Sequence, residues 1–400
     1  MAERDPLRRA RPGAPRRWSG WNDPRLRAWV FQAVFLLATL GLIGIIVHNT
    51  LENLASRGIS TGFGFLADEA GFGIIQTLVQ YSETSSFGRT FLVGLLNTLL
   101  VSVLGIVLAT LLGFAVGIAR LSGNWLIARL ATIYVEIFRN VPLLLQIFFW
   151  YFAVLRALPR PQDSLALGEA VFLNLRGLYL PRPVPDAGFG WVLAALAVAL
   201  IAWLLVAAAG RRRRRLTGRG LASGWIGLGL IVLLPGAAFV LAGAPLAWEL
   251  PALRGFNFRG GITVIPELAA LLLALTIYTA AFIAEIVRAG ILAVPNGQTE
   301  AAAALGLKRS QVLRLVVIPQ ALRVIIPPLT SQYLNLLKNS SLATAIGYPD
   351  LVNVFAGTTL NQTGQAVEVI AMTMAVYLGI SLMISLWMNW YNARIALPER

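Results

Sequence analysis

The sequence predicts an all-α integral membrane protein with about eight transmembrane helices. Apolar residues make up 57% of its 400 residues and charged residues only 13%, whereas a soluble domain is about 45–50% apolar and about 25% charged. So few charges would not cover the surface of a soluble fold of this length. The second observation is a series of apolar runs near 20 residues long, which cross a bilayer as helices because their backbone groups must bond internally.

Eight such runs are separated by polar or arginine-rich connections. The predicted spans are 28–47, 91–119, 130–155, 191–209, 221–242, 266–287, 321–346 and 369–390. The seventh span is the least regular, because Pro327 and Pro328 each remove a helix hydrogen bond and predict a kink or a break. An even number of spans places both termini on the same side of the membrane.

The segments around the spans differ in composition. Residues 1–27 carry eight arginines and four prolines, which predicts a disordered basic cytoplasmic tail. Residues 28–90 hold the first transmembrane helix and an extracytoplasmic loop, 91–390 form the main transmembrane domain, and 391–400 are a cytoplasmic tail. A twin-arginine export signal is the alternative for the N-terminus, but the first apolar run is long for a signal peptide and lacks a clear cleavage site.

Positive charge is concentrated in alternate loops. The net charge is +15, and the strongest cluster is the run of five arginines at 211–215. Short loops rich in arginine stay in the cytoplasm, so the pattern predicts a multi-pass protein of a bacterial cytoplasmic membrane with both termini cytoplasmic. The arginines lie between apolar runs, which indicates contact with a lipid bilayer and not with nucleic acid.

Several kinds of chemistry are absent from the sequence. The chain has no cysteine and one histidine, His48, which excludes thiolate metal sites and cysteine or histidine catalysis. A phosphate-binding loop needs a lysine after spaced glycines, and neither Lys308 nor Lys338 follows a glycine. We therefore expect no catalytic residue, no metal and no cofactor in this chain, and any ATP must be used by another subunit.

The most informative segment lies between the sixth and seventh spans. Pro295 ends the sixth span, Asn296 or Thr299 can cap a short helix, and Ala301 to Ala304 favour that helix while adding little bulk. Gly306 can end it in a left-handed conformation, and Ser310 can start another helix. The pattern predicts a short helix of small residues that suits the groove of a partner protein.

Glu300-Ala301-Ala302, with Gly306 and then Ile318-Pro319, resembles the coupling (EAA) motif of binding-protein-dependent ABC importer permeases. The resemblance implies the type I ABC importer fold, in which this cytoplasmic helix docks on an ATPase subunit. It assigns the coupling helix to Thr299, Glu300, Ala301, Ala302 and Gly306. An alanine-rich helix lying on the membrane surface is the alternative interpretation.

Three further stretches resemble permeases for polar amino acids such as histidine, glutamate and glutamine. They are Tyr134 to Gln146, Asn97-Thr98-Leu99, and Lys338 to Leu342. The resemblance is interrupted at about 156–265 by an insertion that carries two extra helices. A chain of this length resembles the larger permease subunit of general L-amino-acid importers or of glutamate/glutamine/aspartate/asparagine importers.

The resemblance also implies a set of partners. These are an ABC ATPase dimer, a second permease subunit that is a paralogue of this chain, and an extracytoplasmic amino-acid-binding protein. An ion-gradient-driven secondary amino-acid transporter is the alternative, but such proteins are typically built from inverted repeats with matching broken helices, and this sequence contains no internal repeat.

Polar residues within or near the spans are candidates for the translocation path, because charged groups in a membrane usually face a cavity or a partner. The candidates are Glu136, Arg139, Asn140, Gln146, Lys338 and Asn339. Glu136 and Arg139 are three residues apart on one helix face, so a structural ion pair near the cytoplasmic interface is the other interpretation. Glu285 and Arg288 have the same spacing and are predicted to pair at a membrane edge.

Overall fold

The computed structural model describes residues 24–56, 58, 61–218 and 222–395, and within them the fold is mostly helical. The helices are α1 (Pro24–Ser56), α2 (Phe87–Ala119), α3 (Trp125–Asn140), α4 (Leu143–Phe148), α5 (Phe189–Thr217), α6 (Ser223–Leu241), α7 (Pro266–Leu292), α8 (Asn296–Ala304), α9 (Arg309–Val312), α10 (Ile318–Asn339), α11 (Leu360–Thr363) and α12 (Ala366–Ile395). The predicted helical membrane fold is confirmed.

Seven stretches of these helices are long and apolar enough to cross a membrane, and a bent pair of helices brings the number to as many as eight. The bent pair corrects the predicted span 130–155. It consists of α3 and the segment from Leu143 to Leu155, which meet at 106°. Pro142 lies at the bend, where its missing N–H and the extended backbone of Val141 (φ −94°, ψ 127°) prevent a continuous helix.

The predicted interruption at Pro327 and Pro328 does not break the seventh span. Both prolines lie inside α10, which runs as one α-helix from Ile318 to Asn339. At the end of α10 the chain tightens into a 3₁₀ helix, Ser340–Ile346. A π-helical stretch, Leu313–Val317, precedes α10 and joins it to α9 without a loop.

Other predicted boundaries differ at the ends of the chain. Helix α1 begins at Pro24, so the last residues of the predicted basic tail are helical, and α12 continues to Ile395. The rest of both predicted tails lies outside the described residues, as does Leu221 at the start of the predicted fifth span. Helix α1 contributes no buried residue in its most apolar stretch.

Helix α7 is the centre of the bundle, and it packs against both α2 and α10. On α2, small residues recur every fourth position at Gly105, Ala109, Gly113 and Gly117, and all four are buried. A methyl group on Gly113 would lie 2.6 Å from the Cβ of Ile283. Small residues at this spacing allow two membrane helices to approach closely, and the van der Waals contacts between their backbones then hold the pair together.

The insertion consists of two parts, a pair of helices and a set of short strands. Helices α5 and α6 pack mainly against each other, and few residues of either are buried. Eight short strands lie beyond the ends of the spans: β1 (Leu165–Leu167), β2 (Val171–Asn174), β3 (Gly177–Leu180), β4 (Arg182–Pro185), β5 (Leu246–Glu249), β6 (Ala252–Arg254), β7 (Asn257–Arg259) and β8 (Ile262–Val264). They were not predicted, because each has only three or four residues.

The strands are all paired antiparallel. Four of them make a sheet in the order β1-β2-β3-β8, and β4-β5 and β6-β7 form two-stranded ribbons. Tyr179 of β3 lies opposite Thr263 of β8, so the sheet joins the two halves of the insertion. Phe258 packs against Phe172 and Tyr179 beneath it, with ring centroids 4.5 Å and 5.0 Å away.

We predict that Gly113→Ala lowers the thermal stability of the membrane-extracted protein. The added methyl group must displace Ile283, and overpacking of this kind costs about 1–3 kcal/mol. Gly379→Ala is the matched control, because nothing lies within 4 Å of the added Cβ on this other membrane-helix glycine. The control should gain the helix propensity of alanine, about 1 kcal/mol. Equal melting temperatures for the two variants would contradict the proposed close contact.

Candidate functional site

The short helix predicted between the cap at Asn296 or Thr299 and its end at Gly306 is present as α8. It begins at Asn296 immediately after Pro295, and no side chain caps it. The predicted capping by Asn296 or Thr299 is therefore wrong, because Asn296 is already helical and the Thr299 hydroxyl donates to the Asn296 carbonyl at 2.6 Å. The predicted end at Gly306 agrees with the structure, where Gly306 has φ +76° and its N–H donates to Ala303 at 2.9 Å.

Helix α8 has one anchored face and one exposed face. Ala302 is 5% exposed and belongs to a core cluster with Val294, Val312 and Val317. Glu300 and Ala301 are exposed, and Leu305 is 83% exposed at the end of the helix. The exposed face of α8 therefore consists mainly of small residues and ends at the exposed side chain of Leu305.

Leu305 is a candidate interaction residue that the sequence reasoning missed. An apolar residue directly before the glycine that ends a surface helix was the available signal. Leucine is large and apolar, and Leu305 extends the small-residue face of α8 with an exposed apolar side chain.

The segment after α8 connects it firmly to the bundle. Helix α9 begins at Arg309, one residue before the predicted start at Ser310, and the Lys308 N–H donates to the Gln311 Oε1 at 2.8 Å. Residues 305–308 form a turn after α8, and α9, the π-helical stretch and α10 then follow one another without a loop, so one turn and one continuous helical segment join α8 to α10.

Charged side chains cluster near the C-terminal ends of α2 and α7. The Glu285 carboxylate pairs with Arg288 at 2.6 Å and also with Arg120. The predicted pair of Glu285 and Arg288 is confirmed, and Arg120 makes it a triad. One carboxylate shared by two guanidinium groups ties α2 to α7 at the end of the bundle from which α8 emerges.

A polar cavity lies between α7 and α10. It has a volume of about 250 Å³ and is lined by Tyr278, Thr279, Phe282, Gln332, Asn335 and Asn339. Gln332, Asn335 and Asn339 follow the i, i+3, i+7 spacing of one helix face, a signal that was present in the sequence. Polar groups in a membrane helix are costly and usually line a pathway or a site.

The six predicted path residues are not brought together. Asn339 lines the cavity, whereas Lys338, the residue before it on α10, is exposed. The side-chain amide of Gln146 donates to the carbonyls of Phe138 and Val141, at 3.1 Å and 3.0 Å, so it holds the bend between α3 and α4.

The remaining predicted path residues lie on α3. Glu136, Arg139 and Asn140 are exposed, and the Asn140 amide donates to the Glu136 carbonyl. No ion pair between Glu136 and Arg139 occurs in the described part of the chain. The Arg139 guanidinium instead lies over the ring of Phe282, 5.2 Å from its centroid, which places Arg139 beside the cavity.

The Asn97-Thr98 motif has a structural role at the opposite end of the bundle. The Asn97 amide donates to the Pro349 carbonyl at 2.8 Å, and the Leu351 N–H donates to the Thr98 hydroxyl at 3.0 Å. Both side chains are fully buried. These hydrogen bonds satisfy backbone groups of an irregular segment that would otherwise be buried without partners.

Asp350 lies in that segment and is 1% exposed. Its carboxylate accepts the Asn353 N–H at 2.8 Å, at the start of the π-helical stretch Val352–Thr359. Burial, which disfavours the charged form, raises the pKa of Asp350 from an ordinary 3.8 to about 7.

Comparison with known proteins gives a consistent result. Residues 105–397 match the family described as "Binding-protein-dependent transport system inner membrane component". The chain is 58% identical to the putative amino-acid ABC transporter permease protein YhdX of Escherichia coli (strain K12), over 94% of this chain and 96% of that protein.

Two further relatives cover the chain almost completely. The general L-amino acid transport system permease protein AapQ of Rhizobium johnstonii is 51% identical over 96% of this chain and 98% of its own length. The glutamate/glutamine/aspartate/asparagine transport system permease protein BztB of Rhodobacter capsulatus is 43% identical over 94% of this chain and 96% of its own length.

We predict that the protein is more stable to heat at pH 5 than at pH 8, and that Asp350→Asn reduces this difference. The pKa of Asp350 is higher in the folded protein than in the unfolded chain, so the folded state holds an extra proton between about pH 4 and pH 7. Its stability should therefore fall with rising pH in that window, by at most about 1.4 kcal/mol per pH unit. Thermal unfolding of both proteins across pH 5–8 is the measurement, and identical pH dependence would contradict the assignment.

Proposed function

Because this chain belongs to the family of binding-protein-dependent transport system inner membrane components, we propose that it is the permease subunit of an ATP-binding-cassette importer for L-amino acids. Polar and acidic amino acids such as glutamate, glutamine, aspartate and asparagine are the proposed substrates. The single observation that carries the transport mechanism is α8, an exposed helix that the turn at 305–308 joins to the continuous helical segment ending in α10, which lines the polar cavity. The three relatives named above support the substrate class.

In this proposal α8 is the coupling helix. Thr299, Glu300 and Ala301 with Gly306 form the docking surface, while Ala302 faces the core and anchors the helix. A separate ATPase dimer binds this surface, with Leu305 filling a pocket of the ATPase. ATP binding then moves α8, and α10 carries the motion into the membrane.

The proposed orientation follows from charge. Arg120, Arg288 and Lys308 lie at the end of the bundle that carries α8, and the arginines 211–215 lie at the C-terminal end of α5. Loops rich in arginine face the cytoplasm, so we place α8 and both termini in the cytoplasm. The strands of the insertion then lie outside, where an amino-acid-binding protein delivers its substrate.

The cavity between α7 and α10 is the proposed substrate path within the membrane. Its hydroxyl and amide groups can bind the carboxylate and ammonium groups of an amino acid while water is excluded. The residues that line this cavity come from two helices of this chain, α7 and α10. We propose that a second permease subunit, a paralogue of this chain, forms the opposite wall of the path.

Gly306→Asp should reduce uptake of labelled glutamate and glutamine at least about tenfold while the protein remains in the membrane, because a buried unpaired charge at a docking surface costs more than about 1.4 kcal/mol. Aspartate tolerates left-handed backbone better than most residues, so the variant keeps the fold of α8. Gly364→Asp is the matched control, since Gly364 has φ +70° and open space around it at the opposite end of the bundle.

Whole-cell uptake in a strain lacking the gene, restored with each variant, is the measurement. ATP depletion should stop uptake by the wild-type chain, whereas dissipation of the ion gradient at constant ATP should not. Normal uptake by Gly306→Asp would refute the docking role of α8, and loss of uptake on uncoupling alone would favour a secondary transporter.

A further inference from the structure

A second and larger cavity lies at the end of the bundle opposite α8. It has a volume of about 550 Å³, within the usual range for small-molecule sites. Its walls come from three parts of the chain: the loop around Gln76, the insertion, and the first turn of α7 at Glu267. The mechanism proposed above does not use this cavity.

Two cations line the cavity without acidic partners. Arg156 and Arg176 are exposed, and neither takes part in an ion pair within the described ranges of the chain. The Arg156 guanidinium lies over the ring of Tyr151, 5.4 Å from its centroid. This stacking holds the guanidinium in one place at the cavity wall, and a guanidinium is well suited to bind a carboxylate through two hydrogen bonds.

The opposite charge is provided by Glu267. Its Oε1 accepts the Tyr151 hydroxyl at 2.8 Å, and no Lys, Arg or His pairs with it among the described residues. Arg156 and Glu267 thus contact the ring and the hydroxyl of the same tyrosine. A cation and an anion therefore contact one tyrosine without forming an ion pair with each other.

Neutral groups of the cavity also have unused hydrogen-bonding capacity. The side-chain oxygen of Gln76 is buried and has no partner, which is costly unless a ligand or water donates to it. The Asn257 Oδ1 accepts the Tyr179 hydroxyl at 2.9 Å, which leaves the amide group of Asn257 to donate.

We propose that this cavity binds one free α-amino acid, with its carboxylate at Arg156 and Arg176 and its ammonium group at Glu267 and the Gln76 oxygen. The proposal rests on the proposed function, amino-acid import. A zwitterion needs both charges close together at its site, and this cavity presents unpaired groups of both signs.

The site is distinct from the cavity within the membrane. Glu267 and Tyr278 are both on α7, and at 1.5 Å per residue they are about 16 Å apart along the helix axis. Arg176, Tyr179 and Asn257 belong to the insertion, so the proposal gives the insertion a role: it builds an outer site that receives the amino acid before it enters the membrane path.

The test is equilibrium binding of radiolabelled L-glutamine and L-glutamate to the complete reconstituted transporter without its binding protein. We expect two classes of site for each copy of this chain. Arg176→Gln and Glu267→Gln should each weaken one class at least tenfold, whereas Asn335→Leu, in the membrane cavity, should weaken the other. Glu267→Gln retains an acceptor for the Tyr151 hydroxyl, which protects the local structure.

Arg254→Gln is the matched control, because Arg254 is an exposed arginine of the insertion that does not line the cavity. N-acetylglutamine, which lacks the ammonium group, should not displace radiolabelled L-glutamine from the outer site of the wild type. A single class of site, or two classes that Arg176→Gln and Glu267→Gln leave unchanged, would overturn the proposal.

Arg176→Gln and Glu267→Gln also test whether the cavity contacts a protein instead of binding an amino acid. Weaker association of the binding protein, with unchanged amino-acid binding, would mean that the cavity contacts a protein and would overturn the amino-acid site. ATP-driven amino-acid uptake by the wild type is measured in parallel, so that an absent outer site is distinguished from failure of the proposed function itself.

Discussion

The close approach of α2 and α7 is the constraint on which the rest of the structure depends. Gly113 and Gly117 let the backbones meet, because a Cβ on Gly117 would lie 2.8 Å from both the Ala284 carbonyl oxygen and the Val287 Cβ. Apolar side chains gain little from leaving lipid, so packing contacts hold membrane helices together. With α2 fixed on one face, α7 presents its other face to α10, where Gly290 accommodates Ile325.

This arrangement places the two functional features of the membrane domain on one continuous path. The cavity is formed between α7 and α10, and the turn at 305–308 joins α8 to the helical segment that ends in α10. Gln332 lies about 20 Å along α10 from Ile318, at 1.5 Å per residue. The triad of Arg120, Glu285 and Arg288 ties α2 to α7 at the end of the bundle that carries α8. A rigid helix moving beside a fixed pair is a simple way to open and close a polar path.

The sequence predicted the helical membrane class, the spans other than the bent pair, and α8 with its terminating glycine. Each of these depends on a strong local signal: apolar length, a run of alanines, or a glycine that can take a positive φ. The bend at Pro142 was missed, although the proline was visible, because hydropathy alone does not separate one span from two half-helices. A break at Pro327 and Pro328 does not occur, since both prolines lie inside the continuous helix α10.

The candidate sites were predictable only in part. Asn339 was identified from its motif, but Gln332 and Asn335 complete the cavity by their spacing on α10, and the partners contributed by α7 depend on tertiary packing. The outer cavity was not predictable at all, because it joins Gln76, Arg176 and Glu267 from distant parts of the chain through a sheet of very short strands. No local pattern specifies such a site.

The central claim is that α8 docks on a separate ATPase, and site-specific photo-cross-linking tests it most directly. Leu305 is replaced by p-benzoylphenylalanine in the intact transporter, and Gln362, exposed on α11 at the opposite end, is replaced in a control. The account predicts an adduct between Leu305 and the ATPase subunit and none from position 362. Adducts of position 305 with lipid alone would mean that α8 lies on the membrane surface and would contradict the account.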